Sequence, residues 1–317
     1  MKNNLKGGII LLIAAAIWGS AFVAQEKAAP FGGSFTMNSL RSFVAVIVLI
    51  PIVLLLKQKR EKLTGKKEKT LTPKLILGGV LCGAALSVAA NLQQFGIMFN
   101  AELAEGGSGK AGFITAMYII FVPLFSVILG KKLRFSMVIS VLISVAGLYF
   151  ISVKSGFSVS AGDIVLLLCA VAFAVHITIA DRFASQVDAV ALSAVQFFTV
   201  GVVSGVLMLI FERDTLSVSS VMSAALPILY CGVMSSGVAY TFQLIGQIYC
   251  ESTVASIVMS LESLFAMITS CIFFQMLPTS REALGCVLMM IAIMIVETPF
   301  ADRLFDKVFK RKTKTEA

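Results

Sequence analysis

Ten apolar runs divide the chain, at residues 7–26, 35–56, 75–98, 110–129, 135–153, 162–181, 189–211, 221–245, 252–275 and 281–298. Each is close to the ~20 residues an α-helix needs to cross a hydrocarbon core of ~30 Å. The polar segments between them are too short to recross it, so successive helices reverse direction and both ends of the chain emerge on one side. The predicted fold class is all-α integral membrane, with ten transmembrane helices. Composition removes the soluble alternative: 58% of the 317 residues are hydrophobic and 14% charged, with a mean hydropathy of +0.95, where soluble domains carry roughly 25% charged residues.

The opening MKNNLKGGIILLIAAAIWGSAFVAQEKA sets Lys2 and Lys6 ahead of an apolar run, as a signal peptide does. The run holds Trp18 near its middle and leads into further spans, so it reads as a retained first transmembrane helix. Charge then sets the orientation. Of the 26 Lys and Arg, 20 fall in segments on the side of the N-terminus and tail, 5 fall on the other side, and Arg41 lies inside a span. Basic loops mark the cytoplasmic side, which predicts that both termini are cytoplasmic. The net charge of +9 therefore reports topology, and no basic face for nucleic acid is expected. The six cysteines carry no CxxC spacing and lie almost entirely within apolar spans, as packing residues do, so neither disulfides nor zinc is expected.

The chain also repeats itself. Gly7 matches Gly162, and Leu40-Arg41 matches Val195-Gln196, at an offset of 155; Gln93 and Gly96 match Gln243 and Gly246 at an offset of 150. These few identities align helices 1 to 5 with helices 6 to 10. Five is odd, so the second set must insert upside down relative to the first. The expected organisation is two inverted five-helix repeats, residues 1–153 and 154–298, and a basic cytoplasmic tail, 299–317. Such repeats place a substrate site near the bilayer midplane between the halves.

Five segments then carry a resemblance: AAIWGSAFVAQE in helix 1, Arg41 of helix 2, NLQQFGI in helix 3, KAGFITAMYIIFVPLFSVILGKKL across helix 4 and MSLESLFAMI in helix 9. Over residues 7–298 the chain resembles the EamA type of the drug/metabolite transporter superfamily. The resemblance implies a ten-helix secondary carrier in the cytoplasmic (inner) membrane, exporting a small metabolite, an amino acid or a toxic amphiphile, and needing no cofactor. The segment FNAELAEGGSGKAGF between helices 3 and 4 is several residues longer than the family's compact turn.

Charge inside a span costs about 2.5–3.5 kcal/mol on insertion scales, so such groups usually face a cavity or a partner. Glu262 lies some ten residues into helix 9, about 15 Å deep at 1.5 Å per residue, near the midplane. It is the first candidate for substrate binding, the other reading being a structural carboxylate bonded to neighbouring helices. Arg41 sits about two turns inside the outer end of helix 2; it could snorkel outward as an anchor or attract a substrate carboxylate. His176, the only histidine, could carry a coupling proton or pack as a hydrogen-bonded ring. Asn91 with Gln94, Thr115 with Tyr118, and Tyr240 with Gln243 are each three residues apart on one helix face, aimed at a common cavity or gluing helices together. Trp18, at mid-depth and away from the interfacial belts, is a candidate cavity wall. The spacings Gly79-x-x-x-Gly83 and Gly201-x-x-x-Gly205 allow close helix approach and leave monomer or dimer open.

Other chemistries find little. The string AEGGSGKA at 104–111 has Ala where a phosphate-binding loop needs its first Gly and Ala where it needs a hydroxyl, so ATP-driven transport is not expected. One histidine cannot supply HExxH, GxSxG is absent, and neither a membrane-enzyme Asp pair nor selectivity-filter repeats are visible. Membrane enzyme and channel remain the alternatives, and a carrier coupled to protons or to substrate exchange is the reading. Reporter fusions at residues 66 and 317 should both register as cytoplasmic; an external signal at either position contradicts the predicted topology.

Overall fold

The computed structural model describes residues 4–67, 69–101, 107–152, 160–214, 216–274 and 279–297, and every regular element among them is helical. The helices are α1 (Asn4–Ala28), α2 (Ser34–Thr64), α3 (Pro73–Ala101), α4 (Gly107–Thr115), α5 (Tyr118–Ile128), α6 (Phe135–Ser152), α7 (Ala161–Ala184), α8 (Ala189–Phe211), α9 (Val218–Ser223), α10 (Ala225–Tyr230), α11 (Tyr240–Tyr249), α12 (Ser252–Met259), α13 (Glu262–Phe274) and α14 (Ser280–Glu297). A π-helical segment, Cys231–Ala239, joins α10 to α11. Among the described residues, eight stretches are long and apolar enough to cross a membrane: α1, α2, α3, α4 with α5, α7, α8, α10 through α11, and α12 with α13. The shorter apolar α6 packs along α14. Of the long 99–109 segment, residues 102–106 lie outside the described residues.

Burial is inverted relative to a soluble protein. Ile47 and Leu54 on α2, Val206 and Leu209 on α8, and Met290 and Met294 on α14 are exposed, whereas Asn38, Asn91, Gln94, His176, Gln196 and Gln243 are buried. A hydrocarbon solvent selects this pattern, because apolar faces cost nothing against lipid while polar groups must find partners inside.

Glycines bring the helices into contact, and they do so in a repeated way. Gly7 of α1 abuts Tyr249, the last residue of α11, and Cys250 just past it, and Gly162 of α7 abuts Phe99 and Asn100 of α3. Gly246 abuts Leu11, and Gly96 abuts Leu166. Adding 155 to the α1 residues and subtracting 150 from the α11 residues turns each first contact into its second, so α1 lies against α11 as α7 lies against α3. A β-carbon at Gly96 or Gly246 would overlap the facing leucine.

Two spans are interrupted. Between α4 and α5, Met117 N–H donates to Ile114 O (3.1 Å) and Ile119 N–H to Ala116 O (3.0 Å); between α12 and α13, Leu261 N–H donates to Val258 O and Ser263 N–H to Ser260 O, both at 3.2 Å. An offset of 144 superimposes the two sets of tightened turns. The apolar runs at 110–129 and 252–275 predict continuous helices, and the breaks have no proline or glycine at the turn to announce them.

Helices α2 and α8 run antiparallel and are tied at both ends. Glu212, just past α8, accepts from Phe35 N (2.9 Å), Thr36 N (2.7 Å) and Thr36 Oγ1 (2.7 Å), capping the start of α2 where Gly33 supplies no side chain. At the other end Asp188 caps α8 through Ala191 N (2.8 Å) and pairs with Arg60 Nη1 at 2.6 Å. Gly96→Ala and Gly246→Ala should each cost about 1–3 kcal/mol through overpacking. Each should lower the melting temperature in detergent, with partial recovery when Gly96→Ala is combined with Leu166→Ala; unchanged melting would contradict the close contacts.

Candidate functional site

The two helix breaks meet at one cavity. Thr115 ends α4, Tyr118 opens α5, Met259 ends α12 and Glu262 opens α13, and all four line it. An interruption turns side chains that would follow the helix face into the bundle interior, and it sets Glu262 at the positive end of the α13 dipole. The rest of the wall comes from α1 (Trp18, Ala21, Phe22, Gln25), α2 (Arg41), α3 (Gln93), α7 (Phe173, Ile177), the π segment (Ser235) and α11 (Tyr240, Gln243). The cavity offers about 30 Å³ of free space, room for a water or two. A larger molecule fits only when the walls part.

Both formal charges predicted inside spans face this cavity, and both are buried. Arg41 does not snorkel: its Nη1 donates to Gln25 Oε1 at 3.1 Å, and the guanidinium lies by Cys231. The Tyr118 hydroxyl stands beside the Glu262 carboxyl without a well-formed hydrogen bond. Trp18 Nε1, Arg41 Nε, Tyr118 Oη and Glu262 Oε1 are buried polar atoms without a hydrogen-bond partner in the protein. Such atoms are rare in a folded interior, and each calls for an explanation such as a bound water, ion or functional role. Trp18 and Tyr240 pack edge to face at 4.8 Å between ring centres, and Tyr118 meets Phe173 at 6.5 Å. The site thus combines one cation, one carboxylate and an aromatic floor.

Of the ten sequence candidates, Trp18, Arg41, Thr115, Tyr118, Tyr240, Gln243 and Glu262 line the cavity, while Asn91, Gln94 and His176 do not. Asn91 is helix glue: its Oδ1 accepts from Asn38 Nδ2 (3.0 Å), and its Nδ2 donates to Ser204 Oγ (2.9 Å) and Ser87 O (2.8 Å). Gln94 is fully buried, with both amide atoms unpartnered. His176 Nε2 lies 3.2 Å from Gln196 Oε1. The amide of α3 that reaches the cavity is Gln93, whose sequence signal is its match to Gln243 at an offset of 150. The lining repeats in the same way: 155 carries Trp18 to Phe173 and Phe22 to Ile177, and 144 carries Thr115 to Met259 and Tyr118 to Glu262, all of them wall residues.

The profile of the EamA-like transporter family matches residues 5–153 and again residues 160–298. The chain belongs to the EamA-like transporter family. As an EamA-like transporter it is similar to an uncharacterized transporter of Archaeoglobus fulgidus, 26% identical over 295 residues that cover 93% of this chain and 86% of the relative. A solved crystal structure shares its fold with a TM-score of 0.75 at 19% identity, over 94% of this chain and 98% of the other. The chain is a multi-pass membrane protein and a transporter, and five of its cavity residues, Trp18, Arg41, Thr115, Tyr118 and Glu262, carry a buried, unpartnered polar atom. Asn91→Ala should lower thermal stability by about 1–3 kcal/mol, because it strands the Asn38 and Ser204 partners. Tyr118→Phe, which removes an unbonded hydroxyl, should melt near wild type; equal losses in the two variants would contradict this division.

Proposed function

We propose that this EamA-like transporter is a secondary carrier that exports a small zwitterionic metabolite of the amino-acid class. Its two repeats, 1–153 and 154–298, insert with opposite orientation, giving ten spans with both termini and the basic tail in the cytoplasm. The twofold reading is supported by the contacts of Gly7 and Gly162, which correspond residue for residue, and by the matching helix breaks. Alternating access about the cavity follows from that symmetry, since two inverted halves can exchange conformations.

The observation that carries the substrate class is the pair of buried opposite charges on one cavity that do not pair with each other. Arg41 offers guanidinium donors to a carboxylate. Glu262, with the faces of Trp18 and Tyr240 nearby, offers a site for an ammonium group. The remaining wall, Phe22, Phe173, Ile177 and Met259, receives an apolar side chain. A ligand with both charges satisfies both residues at once, and a ligand with one charge leaves the other buried and unpaired, which is costly.

Glu262 is also the group placed to couple transport to protons. It is a titratable residue on the cavity at mid-membrane, beside a hydroxyl that can share its proton. Protonation and ammonium binding compete for one carboxylate, which is the logic of an antiporter: a proton arriving from outside displaces the substrate. In reconstituted vesicles an imposed pH gradient should drive substrate accumulation, and Glu262→Gln should abolish that drive while leaving counterflow exchange measurable. Accumulation that ignores pH would make the protein a facilitator.

A further inference from the structure

The cavity wall corresponds between the two halves at its centre but not at its end. Towards one face of the bundle it extends over Ala21, Gln25 and Arg41. The offset of 155 carries those residues to His176, Ala180 and Gln196, none of which lines the cavity. The two polar pairs join corresponding helices, although the offset matches His176 to Ala21 rather than to Gln25. Arg41 of α2 donates to Gln25 of α1 at 3.1 Å, and Gln196 of α8 lies 3.2 Å from His176 of α7, so each pair joins the first and second helices of its own half. His176 and Gln196 are fully buried, and His176 Nδ1 and Gln196 Nε2 have no hydrogen-bond partner in the protein. Two unsatisfied polar atoms at 0% exposure are expensive unless another state of the molecule satisfies them.

Tyr240 stands between the two pairs. Its ring packs against Trp18 at the cavity at 4.8 Å, and against His176 at 5.9 Å and Phe197 at 5.3 Å. Tyr240 directly follows the π-helical segment, the sole stretch of that kind among the described residues. A π turn carries about one residue more than an α turn. Its conversion to α geometry would swing Tyr240 about the helix axis without unfolding the span.

We infer that His176 and Gln196 form the second mouth of the transport path, the cytoplasmic-side counterpart of Arg41 and Gln25, closed off here by Tyr240. In the state that opens to the cytoplasm Tyr240 withdraws, and the cavity extends over His176 and Gln196. The free Gln196 Nε2 group then donates to the substrate carboxylate that Arg41 receives at the other end, while His176, whose Nε2–H holds Gln196 Oε1, presents Nδ1 as an acceptor. This inference rests on the carrier reading and goes beyond it, because it assigns the polar lining of a conformation in which the present walls have moved.

The test uses the full-length protein with its six native cysteines replaced by alanine or serine, and single cysteines at position 41, 176 or 196. A membrane-impermeant maleimide is applied to right-side-out and to inverted vesicles. Arg41→Cys should react from the outer side. Gln196→Cys and His176→Cys should react from the cytoplasmic side, several-fold faster when Tyr240→Ala is added. Labelling at 41 with none at 176 or 196 from the cytoplasm, even with Tyr240→Ala, overturns the second mouth and leaves the carrier reading standing. Labelling at 176 or 196 only from the outer side overturns it too, and no labelling at any of the three positions from either side overturns both.

Discussion

A polar group in hydrocarbon costs far more than in water, and this single constraint organises the molecule. It forces every described regular element to be a helix, it turns leucines and isoleucines outward, and it leaves amides and hydroxyls to find one another inside. Asn91 shows the constraint met, with three side-chain bonds to α2, α3 and α8. Glu262, Arg41, Trp18 and Tyr118 show it left unmet around one cavity. Other buried polar atoms are unpartnered as well, among them those of Gln94 and His176, but only on this cavity do they include the two formal charges inside the spans, and that sets it apart.

The cavity exists because four helices are arranged in two corresponding sets. The breaks at 116–117 and 260–261 fall at matching positions and deliver Tyr118 from one half and Glu262 from the other to the same space. Identical scaffolding with different side chains separates architecture from chemistry. The scaffold sets where two facing groups meet, and the substitution of Glu262 for the tyrosine of the other half supplies the charge. The same difference distinguishes Arg41 from Gln196, a charged donor at one end of the path and a neutral one at the other.

Much of this was legible in the sequence, for physical reasons. A span must be about twenty residues long and apolar, so the run at 189–211 predicts α8 to the residue, and the run at 162–181 predicts α7 to within one residue at its start. The offsets of 155 and 150 anticipated the correspondence of α1 with α7 and α3 with α11. What escaped was direction within the bundle. Asn91, Gln93 and Gln94 of α3 are all buried, so the spacing of Asn91 and Gln94 could not say which amide meets the cavity, and the answer was their neighbour Gln93. The helix breaks and the π segment escaped because hydropathy is blind to backbone geometry; their turns contain ordinary residues such as Met117 and Leu261. Gln25 and Ser235 escaped because a single polar residue in an apolar run has no partner until the helices are assembled.

The account stands on the idea that two buried charges of opposite sign select a ligand carrying both. Ligand-induced thermal stabilisation of the purified protein, across the common amino acids and then across the decarboxylated amine and the deaminated acid of the best stabiliser, tests it directly. The account predicts a clear shift for the zwitterion and much smaller shifts for the amine and the acid, with Arg41→Gln erasing the zwitterion's advantage over the amine. An amine that stabilises the protein as well as its parent amino acid would contradict it.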